Sequence, residues 1–348
     1  MVWVGIDAHK KVLVAVAVDD AGQEVSSWRA HNRTSDWQDC SDWIKGIRGV
    51  SAVGIEGAYS YGRGLAQWLV GQTFIVYDVN PRWTAGYRKT ARRQHKTDPL
   101  DARAVASVVR RDAPDLPQVH ADDVSSLLQV MVSERDAAQS ESVRLRNQLH
   151  DHFFQLGVEL KALDATKLRK VLAQLPAPAT PLDSQRLVAI ERLAARCFLA
   201  LADVSRYTTE IEAIAKEHFA PLVEIHGIGL LTAGVIASHL GPQARFVSEG
   251  QVAAYAGVAP IEVSSAGKDR HRLNRSGCRK LNAALYFIAL SQYRSKSSPG
   301  CQYIERRRAE GRTLREAVRA LKRYIARAVF RSWRECLPPQ SAPVQLPS

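Results

Sequence analysis

The chain has 348 residues, 46% of them hydrophobic, with 48 Lys and Arg against 35 Asp and Glu and a formal net charge of +13. That length accommodates two or three domains and a sizeable core, and the balance of apolar and charged residues is that of a globular protein rather than a disordered one. A surplus of positive charge on this scale points to a polyanionic partner, nucleic acid foremost, although a basic housekeeping enzyme would carry the same charge.

The five cysteines, Cys40, Cys197, Cys278, Cys301 and Cys336, are odd in number and none stands at Cys-x-x-Cys spacing. This argues against a disulfide framework or a zinc ribbon and suits a reducing compartment. No apolar run approaches the about 20 residues that span a bilayer, and the N-terminus enters a strand pattern where a signal peptide would lie. The expectation is a soluble, cytoplasmic protein with no membrane partner.

In chain order, Val2–Ile6 reads as a strand, Val12–Val18 as a second after a tight connection, and Glu24–Arg29 as a third. Ser35–Ile47 has helical spacing through Trp37, Trp43, Ile44 and Ile47; Val50–Glu56 is a strand, Tyr61–Leu69 a helix, and Phe74–Val79 a strand stopped by Asn80–Pro81. The first two strands are expected to pair antiparallel and the later ones to form βαβ units, so residues 1–120 read as an α/β domain of ribonuclease H-like type. Residues 121–218 form a long-helix segment. Apolar residues from Val124 to Leu156 recur mostly at steps of three or four, with a polar gap between Met131 and Leu145 that weakens the heptad; prolines at 176, 178 and 181 break the pattern, and a second helix is expected over Asp183–Glu217. The two helices suit an antiparallel coiled-coil hairpin or a dimer arm; a plain connecting helix fits the first of them as well.

Residues 219–336 read as a mostly α-helical domain. His226-Gly-Ile-Gly229 precedes the apolar stretch Leu230–Leu240. The turn resembles that of a helix-hairpin-helix, whose backbone N–H groups can hold a phosphate, and it equally fits an ordinary interhelical turn. Helices are expected over Arg279–Gln292 and Leu314–Arg331, and the Pro-, Ser- and Gln-rich tail at 337–348 is expected to be disordered.

Asp7 stands at the end of the first strand pattern and Glu56 at the end of the fourth, so parallel strands would bring both into one crevice. In Lys96-Thr-Asp-Pro-Leu-Asp101, Pro99 fits the first helical position, with Asp98 the N-cap and Asp101 one turn on, on the same face. By itself this pair is also a helix-capping device. Converging carboxylates repel one another unless cations offset them, and hard divalent ions with oxygen ligands, Mg²⁺ above all, are the natural partners. Two such ions about 4 Å apart can assist both attack and departure in phosphodiester cleavage.

Gly5-Ile-Asp-Ala-His-Lys10, Gly54-Ile-Glu-Gly57 and Lys96-Thr-Asp-Pro-Leu-Asp-Ala102 resemble, in order, the three acidic motifs of the insertion-sequence "one-ten" transposases, which carry a RuvC-like domain with an Asp-Glu-Asp-Asp tetrad. The resemblance implies Asp7, Glu56, Asp98 and Asp101 as metal ligands and catalytic residues. The stretch from Tyr255 to Arg275 is similar to the family's second domain, whose nucleophilic serine follows a proline in a Pro-x-x-x-x-Ser-Gly pattern. Counting from Pro260 gives Ser265, with Ser264 as second choice because Ala266 replaces the usual Gly. Ser276-Gly-Cys278 also stands where Gly-Gly-Asn or Ala-Gly-Asn is usual. Arg270, His271, Arg272, Arg275, Arg279 and Lys280 follow closely and can neutralise phosphates without reading sequence.

Further implications of the resemblance are target and donor DNA as substrates and a guiding non-coding "bridge" RNA. A dimer is implied, or a tetramer in the strand-exchange complex, with the serine of one protomer meeting the acids of another. The implied chemistry is a transient phosphoserine link to DNA. Two other readings of the residues stand beside this one: a nuclease or junction resolvase that uses metal-activated water and needs no serine, and a non-catalytic nucleic-acid-binding protein whose acids are structural.

Overall fold

The computed structural model describes residues 1–81, 83–84, 98–158, 164–242, 245–259, 261–265, 268–272 and 277–336, with the backbone alone for Asp98, 261–265 and 268–272. The tail at 337–348 lies outside the described residues. Two compact units result, one of Met1–Asp123 with Pro242–Val247, the other of Val124–Gly241 with the chain from Ser248 onward.

In the first unit β1 (Val2–Ala8), β2 (Val12–Asp19), β3 (Glu24–His31), β4 (Val50–Glu56) and β5 (Val76–Val79) form a mixed sheet in the order β3-β2-β1-β4-β5. The expected hairpin is present: β1 runs antiparallel to β2, while β4 runs parallel to β1 and β5 parallel to β4. This mixed α/β architecture is compatible with the expected RuvC-like domain. One boundary differs. Asp7 was expected just beyond the first strand, but β1 continues to Ala8, because Asp7 is paired on both sides, with Val14 and Glu56, and Ala8 still pairs with Leu13 of β2.

The two faces of the sheet are covered separately, as strands buried on both sides require. On one, Val4, Ile6, Leu13, Val53 and Ile55 pack with Cys40, Ile44, Leu65 and Leu69 from α1 (Thr34–Gly46) and α2 (Arg63–Gly71). On the other lies α3 (Asp98–Asp112), whose Ala102, Val105, Ala106 and Val109 meet Val14, Val16 and Val79. The sheet permits close approach here because Gly5 and Gly54 stand side by side in register. A Cβ on Gly5 would fall 2.1 Å from the Ala106 backbone N and 2.2 Å from the Ala102 carbonyl O, and one on Gly54 2.2 Å from Val109 Cγ2.

In the second unit α4 (Val124–Gln155) and α6 (Pro181–His218) run antiparallel, with the short α5 (Ala165–Leu172) between them. Leu145, Leu149 and Phe153 pack against Ile190, Ala194 and Cys197. Further along, Arg196 bonds Glu141 (3.0 Å) and Arg135 donates to Thr208 Oγ1 (2.8 Å). The long helices therefore pair within one chain as a hairpin. Within the polar interruption between Met131 and Leu145, Val132 and Ser142 are the buried residues.

α7 (Ala220–Val223) and α8 (Leu230–Leu240) flank the glycine turn. The chain continues through α9 (Glu249–Tyr255), the antiparallel pair β6 (Ile261–Ser265) and β7 (Lys268–Arg272), α10 (Arg279–Arg294), α11 (Pro299–Ala309) and α12 (Leu314–Glu335). The pair β6–β7 and the helix α11 are additions to the expected elements. The turn after α7 is tied to α10, with Gln292 Nε2 donating to the His226 carbonyl at 2.7 Å. Thr313 and Glu316 close a capping box at the start of α12, whose Leu321, Ile325, Val329 and Trp333 are buried at helical spacing. Among the described residues no helix is long and apolar enough to cross a membrane.

The Gly5–α3 contact is backbone on backbone, so relief requires moving a whole element. Gly5→Ala is expected to destabilise the protein by about 1–3 kcal/mol or more in urea denaturation. Gly46→Ala, where an added Cβ meets nothing within 4 Å, should leave the midpoint nearly unchanged.

Candidate functional site

Side chains alternate along a strand, so Asp7 shares the face of Gly5, and Glu56 that of Gly54. Asp7 and Glu56 are register partners on the parallel strands β1 and β4. Both acids therefore lie on the face that α3 covers, at the C-terminal end of the two strands. Asp101 immediately precedes Ala102, the residue whose carbonyl lies against Gly5, so the N-terminal end of α3 is set down beside β1. Asp7 is 5% and Asp101 3% exposed. The backbone of Asp98 opens α3, one residue earlier than an N-cap assignment for it would have the helix begin.

Sequence reasoning gave no role to three residues around these acids. His9 Nε2 lies 3.1 Å from Asp7 Oδ2. The buried Thr84 hydroxyl contacts Glu56 Oε2 at 3.0 Å, and also the Pro81 carbonyl. Asp78 on β5 accepts the Ala58 N–H at 3.1 Å and so anchors the turn that follows Glu56. Burial pushes the Asp78 carboxyl up, while the Ala58 N–H and the Arg245 guanidinium pull the other way. The readable signal for His9 was its place inside the first acidic motif, and for Asp78 an acid within an apolar strand.

Buried carboxylates are stable as anions only when paired, hydrogen-bonded or metal-bound. The donor chemistry of Asp7, Glu56 and Asp101 is hard oxygen throughout, which suits a divalent cation of the Mg²⁺ class. Among the described residues no group of three or more His, Cys, Asp or Glu side chains is already arranged as a metal cage. The fourth expected ligand, Asp98, has its side chain outside that description.

In the second unit, Ser264 and Ser265 end strand β6, with Ser264 opposite Asp269 and Ser265 opposite Lys268. Arg270, His271 and Arg272 continue β7 as backbone, and Arg275 lies outside the described residues. Arg279 is exposed as the first residue of α10, whereas Lys280 is engaged by Asp136 of α4. Just before them Cys278 caps α10, with its N–H bonded to the Tyr255 carbonyl at 2.7 Å. Burial alone would raise its thiol, but hydrogen bonds from His239, the Leu281 N–H and Tyr255 outweigh this and lower it to about 7.

Two family models match the chain: a DEDD transposase model over residues 4–157 and one described as transposase IS116/IS110/IS902 family over residues 220–304. The transposase for insertion sequence element IS1328 of Yersinia enterocolitica is 25% identical over 196 residues, 55% of each chain. The match thus spans about half of that relative's length. An insertion element IS110 protein of Streptomyces coelicolor is 24% identical over 69% of this chain and 71% of its own. The pilin gene-inverting protein of Moraxella bovis is 24% identical over 78% of this chain and 76% of its own.

The setting of Cys278 has a direct readout. Its alkylation by iodoacetamide should rise with pH to half its maximum near pH 7, while buried Cys40, pushed up to about 12, stays unmodified in the folded protein. His239→Ala should move that midpoint up toward the ordinary thiol value of about 8.5.

Proposed function

The chain belongs to the IS110 family of transposases, and on that premise we propose that it is an RNA-guided DNA recombinase of a mobile element, cutting and rejoining strands at a site composed of carboxylates and a serine. The observation that carries this reading is that one chain holds both halves of the chemistry. The register-paired Asp7 and Glu56 lie within the first matched segment and Ser265 within the second. A nuclease that uses water needs only the first half. That a similar protein is called gene-inverting is a second support, since inversion requires rejoining as well as cutting.

In this reading Asp7, Glu56, Asp98 and Asp101 hold Mg²⁺, which when bound supplies positive charge where phosphodiester cleavage develops negative charge. His9 and Thr84 orient Asp7 and Glu56. The Ser265 hydroxyl gives up its proton as Oγ bonds to phosphorus, the P–O3′ bond breaks, and the strand leaves with a free 3′-OH. A 3′-OH from another strand then attacks the phosphoserine and releases Ser265 with its proton restored. Ser264 is the second choice for this role. Arg270, His271, Arg272, Arg275 and Arg279 face phosphates of target DNA, donor DNA or the bridge RNA; Lys280 does so when released from Asp136. Protomers associate as a dimer, or a tetramer during exchange, and the serine of one serves the acids of another. The working division is residues 1–120 for the acids, 121–218 for assembly and 219–336 for the serine.

The test is a recombination assay with full-length protein, the RNA encoded beside the gene, and both DNAs. Asp101→Asn and removal of Mg²⁺ with EDTA should each abolish cleavage. Ser265→Ala should abolish the covalent protein–DNA species and rejoining. Wild-type exchange by Ser265→Ala and Ser264→Ala alike would refute the serine mechanism, and wild-type exchange by Asp101→Asn would refute the acidic site.

A further inference from the structure

Within the second unit, α10 and α12 border a groove of about 390 Å³. Its floor is Leu290 and Val318, and Leu314 stands at one end. Along α12, Arg315, Arg319 and Lys322 follow one another at steps of four and three, and no Asp or Glu lines the groove. Arg315 and Arg319 are exposed, and among the described residues none of the three cations forms an ion pair within 4 Å; the Glu316 carboxylate, which feels the charge of Arg319, is bonded to Thr313 instead and does not line the groove. Lys322 is 9% exposed and bonds Asn282 Oδ1 at 2.9 Å, a neutral acceptor that leaves its charge uncompensated. Burial and the neighbouring Arg319 both lower its pKa, the sign of a cation held among cations. The opposite wall carries Tyr286, 42% exposed, edge-to-face with Phe287, itself 66% exposed.

Three clustered cations in a groove with no acidic lining favour an anionic occupant, and their spacing selects its form. At 1.5 Å rise per residue they extend over about 10 Å of helix, the reach of successive phosphates on a strand and not of a single one. Solvent-exposed aromatic rings beside a positive groove offer faces on which unpaired bases stack. The geometry points to the α10–α12 groove as a binding site for single-stranded nucleic acid, with the phosphodiester backbone on Arg315, Arg319 and Lys322 and bases against Tyr286 and Phe287. This assignment is independent of the recombination chemistry: its failure would leave the carboxylate and serine roles untouched.

The test is fluorescence anisotropy of the full-length protein with a labelled mixed-sequence single strand, as DNA and as RNA, and with the corresponding DNA duplex, over a salt series. Arg315→Ser with Arg319→Ser, both at exposed positions, should weaken single-strand binding about tenfold and reduce the slope of log affinity against log salt by about 2. Tyr286→Ala with Phe287→Ala should weaken it about tenfold with the slope unchanged. Arg294→Ser with Arg331→Ser removes two exposed arginines outside the groove lining and should change the affinity less than about threefold. Loss in the DNA arm, the RNA arm or both supports the site and identifies which strand it takes. An unchanged salt slope in the groove variant, an equal loss in the Arg294/Arg331 control, or a loss confined to the duplex overturns it.

Discussion

The architecture of the first unit depends on a close approach between a helix and the middle of a sheet. Gly5 and Gly54 present no Cβ, so α3 settles with its backbone almost on β1 and its Ala102 and Ala106 filling the space where side chains would stand. Val105 and Val109 extend the contact over β4 and β5. Burial of this apolar surface fixes the helix against the repulsion that nearby carboxylates exert at its N-terminal end. The acids hold their position because the layer beneath them is packed too closely to yield, and His9 and Thr84 then aim the carboxylates of Asp7 and Glu56.

The second unit handles charge differently. A net charge of +13 suggests a surface uniformly ready for a polyanion. Several cations are in fact committed internally: Lys280 to Asp136, Arg196 to Glu141 and Arg327 to Glu249. These pairs join α10 to α4, α4 to α6, and α9 to α12. Ion pairs of this exposed kind contribute little stability individually, but they remove cations from the set available to a ligand. The cations of the α10–α12 groove differ in that no carboxylate lines the groove with them, which makes local placement more informative than the overall charge.

Much of the fold was legible because periodicity reports burial directly. The unbroken apolar run of Val12–Val18 follows from a strand covered on both faces, and the four-residue spacing of Leu145, Leu149 and Phe153 from one helix face meeting a core. The β6–β7 hairpin was not legible: Lys268-Asp-Arg-His-Arg272 is polar or charged throughout and has no apolar alternation to reveal a strand. The extra turn of α12 to Glu335 was missed for a related reason, because Trp333 is buried among charged neighbours that read as the end of a helix. The intramolecular pairing of α4 with α6 was also open, since an apolar stripe specifies that a helix is covered without specifying by what.

The sequence by itself offered the four acids, in order, and Ser265 or Ser264 as candidates, and it determined the strand–helix succession that carries the acids. These are local matters: a residue type, a spacing, a turn. Only the tertiary structure decided that Asp7 and Glu56 are register partners, that the N-terminal part of α3 comes down on β1 because two glycines admit a helix, and that Lys280 is already paired while Arg315 and Arg319 form no ion pair within 4 Å. Register, close approach and charge pairing all join residues far apart in the chain, and nothing in a residue's immediate neighbours records which distant side chain it will meet.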